Sequence, residues 1–433
     1  MDVTSSKFKS NQTSLDKKIK VLVLSDHPMS PSGVGSQTKY VMQALLDTGK
    51  FSVVCLGGAI KHMDYTPTQV EPYGEDFVIY PVDGYGTPEI VRSIMRTARP
   101  DVVWMMTDPR FWTWLWEIEH EVRPLAPIVY YHVWDNYPYP TFNKLHYESC
   151  DHIATISKVT DDIVKTVAPS VDSTYLPHAV DSNIFRKLDE KDTEEFRKEH
   201  FSGVPEDKFV FFWNNRNARR KQSGSLIYWF KDFLDQVGDD KACLLMHTDV
   251  HDPNGQDLVA IIRELGLTDK QVLFSQQKVP PEILSMIYNM VDCTINISDA
   301  EGFGLATLES LSCETPIIAN MTGGLQEQVT DGENTFGIAL TPSSKAIIGS
   351  QQVPFIYEDR LSGSDVTQAL LDMYNMSAEE RAKVGAAGRD HVTKNYNFKD
   401  FRESWINLML ETHEKNGSWE NRKNYKSWEL LEV

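Results

Sequence analysis

The chain has 433 residues, of which 41% are hydrophobic and 24% charged, and it carries a formal net charge of −19 at pH 7. This length accommodates two or more domains, each with its own core. The acidic excess argues against nucleic acid as a partner and against a broad electrostatic grip on anionic lipid, because both need a concentrated basic surface.

The cysteines and the N-terminal segment bear on the cellular compartment. The five cysteines form no Cys-x-x-Cys pair, which argues against a disulfide framework and against a zinc cluster. Met1–Asp16 contains no apolar signal segment, and no apolar run approaches the roughly 20 residues that span a bilayer. We therefore expect a cytoplasmic protein, for which peripheral contact with a membrane stays open.

The first half of the chain alternates predicted strands with helices. Ile19–Ser25 is a short apolar run typical of a central parallel strand, and Ser36–Leu46 has the periodicity of an amphipathic helix. The intervening loop contains Gly33 and Gly35, which suit either a phosphate site or a simple connection, since the third glycine of a dinucleotide fingerprint is absent. Further strands are predicted at Phe51–Leu56, Val102–Met106, Ile128–Tyr131 and His152–Ile156. This order predicts a doubly wound parallel sheet in an N-terminal domain of residues 1–186.

Half of the ten tryptophans are clustered in this domain. An aromatic platform for an acceptor sugar is one interpretation, but core packing is favoured, because large aromatic side chains are mostly buried. The five residues are Trp104, Trp112, Trp114, Trp116 and Trp134.

The second half repeats the alternation and predicts a second α/β domain at 205–396, after the charge-rich stretch Lys187–Asp207. Residues 341–360 are predicted to be an irregular surface excursion. A C-terminal helical segment, about 397–433, has an apolar stripe and is predicted to return to the N-terminal domain, with Trp419 and Trp428 in a docked tail. The predicted strands of this half are Phe209–Trp213, Ala242–His247, Val272–Ser275, Cys293–Ser298 and Pro316–Asn320.

Two segments of the second half carry chemistry. In Asp299–Gly324 a glycine turn and a helix separate Glu301 from Glu309, which predicts a phosphate-and-sugar site at the carboxyl edge of a parallel sheet rather than two solvated helix carboxylates. Asn214–Lys221 concentrates three arginines and a lysine after a strand, which favours diphosphate binding over a solvated loop. No Asp-x-Asp and no His-Glu-x-x-His motif occurs, so no metal cofactor is predicted.

These features together resemble the family 4 retaining glycosyltransferases, also described as glycosyl transferases group 1. The opening strand with its glycine loop, Tyr131-His132, the hinge-like Leu176–Phe185 and Asp299–Gly324 follow the order of that family's motifs. The resemblance implies the GT-B fold, in which two Rossmann-like domains face a cleft. It also implies metal-independent transfer of a sugar from a nucleotide-diphosphate sugar, with retention of configuration.

The resemblance also implies residue roles. Arg216 and Lys221 match the pair that binds the diphosphate, Glu309 the ribose-binding glutamate and Glu301 the one that faces the donor sugar. His132 matches a histidine near the anomeric carbon, so the implied catalytic set is His132, Glu301, Arg216 and Lys221. The remaining donor-binding positions are Gly33 and Gly35 from the first domain and Gly302, Phe303, Gly304 and Leu305 from the second.

The sequence leaves the substrates open. The donor base can be that of a UDP-, GDP- or ADP-sugar, the acceptor is expected to be a glycan or a lipid-linked glycan, and the oligomeric state is undetermined. A sugar-nucleotide epimerase that uses His132 with Glu301 is one alternative. A transferase acting on protein or modified DNA and a catalytically silent sugar-binding protein are the others.

Overall fold

The computed structural model describes residues 17–201 and 207–425. Residues 1–16, part of the charge-rich stretch Lys187–Asp207 and Trp428 lie outside the described residues. The strands are β1 Ile19–Asp26, β2 Phe51–Gly58, β3 Thr68–Val70, β4 Gly74–Pro81, β5 Val102–Met106, β6 Ile128–His132, β7 His152–Thr155, β8 Ser173–Tyr175, β9 Phe209–Asn214, β10 Ala242–His247, β11 Val272–Ser275, β12 Cys293–Asn296, β13 Ile317–Asn320, β14 Gly337–Leu340, β15 Ser344–Ile348 and β16 Ile356–Arg360.

Helices connect most of the strands, and within the described residues none is long and apolar enough to cross a membrane. The helices are α1 Gly33–Leu46, α2 Pro88–Ala98, α3 Thr113–Glu117, α4 Glu119–Val122, α5 Lys144–Glu148, α6 Lys158–Val167, α7 Glu190–His200, α8 Ser223–Val237, α9 Leu258–Glu264, α10 Pro281–Met290, α11 Leu305–Ser312, α12 Leu325–Val329, α13 Gly363–Asn375, α14 Ala378–Asn395 and α15 Phe398–Asn416.

The first domain is built on an eight-stranded sheet of order β3-β4-β2-β1-β5-β6-β7-β8, in which every pairing except β3 with β4 is parallel. Strand β1 lies inside the sheet, and its alternate residues enter different cores. Val21 and Val23 pack into one apolar cluster, while Leu22 and Leu24 pack into another. Burial on both faces is the reason that this strand is a continuous apolar run.

The second domain is built on a six-stranded parallel sheet of order β11-β10-β9-β12-β13-β14. Strands β9 and β12 are neighbours in this sheet, although two strands, β10 and β11, lie between them in the chain. Their carboxyl ends therefore lie side by side at one edge. The first sheet ends at Tyr175 and the second begins at Phe209, while the exact domain limits stay predictions.

The opening loop differs from the prediction. Helix α1 begins at Gly33, not at Ser36, because the Ser32 hydroxyl caps the helix by accepting a hydrogen bond from the Gly35 amide at 2.9 Å. A Cβ atom at Gly35 would lie 2.2 Å from the Ser30 hydroxyl oxygen, so only glycine fits there. The two glycines thus form the first turn of a helix.

The prediction of an irregular excursion at 341–360 is wrong. Strands β15 and β16 form an antiparallel hairpin that starts in the second domain and reaches the first. The Tyr357 amide donates to the Tyr137 carbonyl at 2.6 Å, and the rings of Phe355 and Phe142 meet edge to face at 5.1 Å. The hairpin therefore bridges the two domains.

Helix α15 packs on the first domain. The ring of Trp405 is fully buried and lies 5.7 Å from that of Trp104 and 4.7 Å from that of Tyr131. Beyond the helix, the Trp419 indole donates to the Pro100 carbonyl at 3.0 Å. Core packing accounts for Trp104, whereas Trp134 also borders the cleft described next.

Candidate active site

A cleft of about 650 Å³ lies between the two domains, at the carboxyl edges of both sheets. Its first wall comes from the start of α1 and from residues that follow β5 and β6, including Gly33, Asp108 and Asp135. Its second wall comes from residues that follow β9 and β12, including Arg220 and Glu301. Such a crevice outside the carboxyl ends of parallel strands is the usual ligand site of open α/β sheets.

In the second wall, Glu301 forms an ion pair with Lys221, which is buried behind the residues that line the cleft. The Lys221 and Glu301 side chains are 9% and 14% exposed, and the ammonium donates to Glu301 Oε2. Arg220 Nη1 lies 3.8 Å from the same oxygen. Burial lowers the pKa of Lys221 to about 8 against the opposing effect of Glu301. Burial acts to raise the pKa of Glu301, but Lys221 and Arg220 outweigh it and lower that pKa.

The glycine turn after Glu301 brings backbone amides to the cleft. Gly304 has φ of 90°, and a Cβ atom there would lie 2.4 Å from the Leu325 side chain. Helix α11 begins at the next residue, so its first amides have no partner within the helix. From the other domain, Gly33 comes so close that a Cβ atom on it would lie 3.0 Å from Leu305 Cδ1. Gly33 and Gly302–Leu305 therefore meet across the cleft, and their binding of a donor stays a prediction.

Glu309 lies further along helix α11, beside Tyr288. The Tyr288 hydroxyl donates to Glu309 Oε2 at 2.8 Å and accepts from the Asn214 amide at 2.9 Å, and Asn214 borders the cleft. Burial raises the pKa of Glu309 to about 7, against the hydrogen bond from Tyr288. The carboxyl is thus poised to ionise near neutral pH, and its ribose role stays a prediction.

Two predicted catalytic residues lie elsewhere in this structure. The Arg216 guanidinium donates to both carboxylate oxygens of Asp252, at 2.5 and 3.1 Å, and its side chain is 63% exposed. His132 is fully buried, with Nε2 2.7 Å from the Tyr147 hydroxyl, and burial lowers its pKa to about 3. Residues 133–136, directly after His132, form the cleft wall instead.

The cleft also contains residues that the family motif did not select. Arg219 and Arg220 border the cleft, although the motif match selected Arg216. Asp108 and Asp135 follow strands β5 and β6, and their places at strand ends were the available signal. The hairpin contributes Glu358, which is buried and pairs with Arg219 and Arg360.

The hairpin forms one side of the cleft through both its strands and its tip. Near the first domain, Val353 is buried and packs into a core cluster of that domain. Near the second domain, the Asp359 amide donates to the Asp299 carbonyl at 2.9 Å. The cleft residues of this segment are Ile348, Gly349, Ser350, Val353, Ile356 and Glu358.

Within 17–201 and 207–425, no group of three or more His, Cys, Asp or Glu side chains is arranged to hold a metal ion.

The family model of the glycosyl transferases group 1 matches residues 192–349. This segment is similar to that family over most of the second domain. It contains Lys221, Glu301 and Glu309, so the family resemblance indicated by the motifs is confirmed. A D-inositol 3-phosphate glycosyltransferase of Acidothermus cellulolyticus is 42% identical over 77 residues, which cover 18% of this chain and 17% of that relative. The chain spans less than two thirds of the length of the curated relatives it matches.

Solved structures resemble almost the whole chain. Sucrose-phosphate synthase from Thermosynechococcus elongatus matches with a TM-score of 0.71 at 16% identity, over 91% of this chain and 99% of that one. Anabaena Alr3699/HepE in complex with UDP and glucose matches with a TM-score of 0.67 at 14% identity, over 91% and 100% of the two chains. The likeness confirms the predicted GT-B fold, with two Rossmann-like domains facing a cleft.

Proposed function

We propose that this chain is a retaining, metal-independent glycosyltransferase that moves a sugar from a nucleotide-diphosphate sugar to a glycan or lipid-linked acceptor. The observation that carries the proposal is the ion pair of the cleft residue Glu301 with the buried Lys221 behind it, with Arg220 beside Glu301 at the cleft. A diphosphate that enters the cleft competes with Glu301 for Lys221 and Arg220. The glutamate is then free to accept hydrogen bonds from sugar hydroxyls.

The side chains and backbone amides around the cleft can assist the steps of the transfer. The bond between the anomeric carbon and the diphosphate oxygen breaks, and Lys221 and Arg220 stabilise the charge that develops on the leaving diphosphate. The first amides of α11 and the facing amides of α1 add positive potential from both domains. The acceptor oxygen bonds to the anomeric carbon, and its proton passes to the leaving diphosphate. No separate strong base is then required.

The alternatives receive less support. An epimerase needs His132 beside Glu301, whereas His132 is buried behind the wall and paired with Tyr147. A UDP-sugar is the first donor to test, because the structural neighbour Alr3699/HepE was solved with UDP and glucose. Metal independence agrees with a cation set made of Lys and Arg side chains.

The test begins with donor binding. UDP-, GDP- and ADP-glucose are each titrated, and a donor at about 100 times its Kd should stabilise the fold by about 2.7 kcal/mol. Turnover is then measured as released nucleoside diphosphate, with and without EDTA, and NMR of the product reports its anomeric configuration. Isomerised free sugar nucleotide, or binding of no nucleotide sugar at all, would overturn the proposal.

A substitution sharpens this test. Lys221→Met should lower turnover by about 10²-fold or more, because it removes a cation from the leaving diphosphate. Lys231→Met on the outer helix α8 is the matched control, since Lys231 pairs only with Asp235 there among the contacts described. Near-normal turnover of Lys221→Met would exclude this role for Lys221.

A further inference from the structure

The carboxylate of Asp135 is unusual among those in the cleft. Asp135 follows β6 on the first wall and borders the cleft. Among the described residues, no other residue donates a hydrogen bond to its carboxylate or forms an ion pair with it. Burial raises its pKa to about 6, with Arg220 lowering and Glu301 raising that pKa, so the group is largely ionised at neutral pH. Asp135 is partly exposed at the cleft, so a ligand can reach a carboxylate that no donor of the described protein occupies.

The other carboxylates that line the cleft already have an ion-pair or hydrogen-bond partner within the protein. Glu301 pairs with Lys221, and Glu358 pairs with Arg219. Asp108 accepts from the Arg110 amide at 3.0 Å. Asp135 is the cleft carboxylate in the described chain for which the protein supplies no such donor.

Glycines of the second domain leave room in front of Asp135. A Cβ atom at Gly302 would lie 3.8 Å from Asp135 Oδ2, and one at Gly323 would lie 3.4 Å from Asp135 Cβ. Asp135 therefore faces the turn that carries Glu301, but from the opposite domain. A ligand that touches both carboxylates spans the two walls.

A second cavity of about 330 Å³ meets the first at Asp135, which borders both. Its lining includes the polar side chains of Asn136, Gln326, Thr341 and Asp359. The second cavity lies along strand β16, and its lining does not include Lys221 or Arg220. This position offers space for the acceptor sugar, since the donor sugar is the one that carries the diphosphate.

Among the described residues that line the two cavities, every Lys and Arg side chain already lies close to a carboxylate and is not available to an anionic acceptor. Arg110 lies 3.4 Å from Asp108, and Lys345 lies 3.7 Å from Asp359. Arg219 is held by Glu358, and the diphosphate takes Lys221 and Arg220 under the proposed function. The local excess charge is then the negative charge of Asp135 and of the released Glu301, which repels a phosphate or carboxylate on the acceptor.

We propose that Asp135 is an acceptor-binding residue whose carboxylate accepts hydrogen bonds from hydroxyls of an uncharged sugar or polyol at the junction of the two cavities. This inference rests on the proposed function. It deepens that function by naming the class of acceptor: neutral and polyhydroxylated, rather than phosphorylated or acidic.

The experiment compares matched acceptors on the full chain with the donor found by titration. The probes are glucose, maltose and myo-inositol, each beside its monophosphate. The wild-type chain should use the neutral member of a pair with a kcat/KM at least tenfold higher. A preference for the phosphorylated members would overturn the inference while leaving glycosyl transfer intact. Formation of no glycoside with any donor and any of these acceptors would overturn the inference and would count against the proposed function.

Asp135→Asn separates acceptor binding from donor binding. The variant should raise the acceptor KM about tenfold or more, because an amide replaces a charged hydrogen-bond acceptor, while the donor Kd measured by calorimetry changes less than twofold. Asp172→Asn is the control, since its carboxylate is 55% exposed on the surface of the same domain. An unchanged acceptor KM, or a donor Kd that rises in parallel, would refute the assignment. Thermal unfolding verifies that the variant is folded.

Discussion

Glu309 gives the stability of this protein a pH dependence that can be calculated. Its pKa is raised by burial from 4.5 to about 7 in the folded chain. A carboxyl group whose folded pKa is raised stabilises the fold fully below the unfolded pKa, and this contribution is lost as the pH rises through the folded pKa. Glu309→Gln keeps the shape and the hydrogen bonding capacity but cannot ionise.

The change in the free energy of unfolding follows from the pKa shift of Glu309. A difference of about 2.5 pK units corresponds to about 3 kcal/mol at about 1.36 kcal/mol per unit. Solvent contact of the side chain reduces this figure, so we expect the wild-type chain to lose about 2–3 kcal/mol more than Glu309→Gln between about pH 5 and pH 8. Asp135 and Lys221 titrate in or near the same window, but they contribute equally to both chains and cancel in the difference.

The assay is urea-induced unfolding of the two chains at pH 5 and pH 8, followed by fluorescence. Glu282→Gln is the matched control, because Glu282 is exposed in the first turn of α10. It should lose the same stability as the wild type over this range. Equal losses in the wild type and in Glu309→Gln would refute the assignment of a buried, proton-binding carboxyl at this position.

Two further substitutions test the contacts between domains. Phe355→Ala removes the edge-to-face contact with Phe142 and should cost about 1 kcal/mol, seen as faster hydrogen exchange at the Tyr357 amide; unchanged exchange would mean that the hairpin holds without this ring. Trp405→Ala empties a fully buried site against Trp104 and should cost about 3–5 kcal/mol in denaturant unfolding; a cost below about 1 kcal/mol would show that α15 contributes little to the first domain.

The structure confirms the central strands more closely than the edges. The inner strands β5 and β10 have the predicted bounds, because strands buried on both faces are unbroken apolar runs bounded by polar residues. The hairpin of β15 and β16 was not predicted. Its strands mix exposed polar and apolar residues, and their order comes from docking onto the other domain, which no local pattern records.

The residues of the candidate site were likewise only partly predictable from the sequence. The glycine turn with its two glutamates was recognisable because Gly304 needs a positive φ and a neighbour leaves no space for a side chain there. The motif spacing also selected Lys221, which the structure places against Glu301 across 80 residues of chain. The same spacing selected Arg216, which in this structure binds Asp252.

The sequence by itself determined two parallel α/β domains, the turn after Glu301 and the basic loop after β9. These are local properties, because apolar periodicity and glycine conformation act over a few residues. Only the tertiary structure decided that β9 and β12 are neighbours, so that Lys221 meets Glu301. It also decided that Asp135 has no hydrogen-bond donor or ion-pair partner among the described residues, because the burial and pairing of a charge depend on every element packed around it.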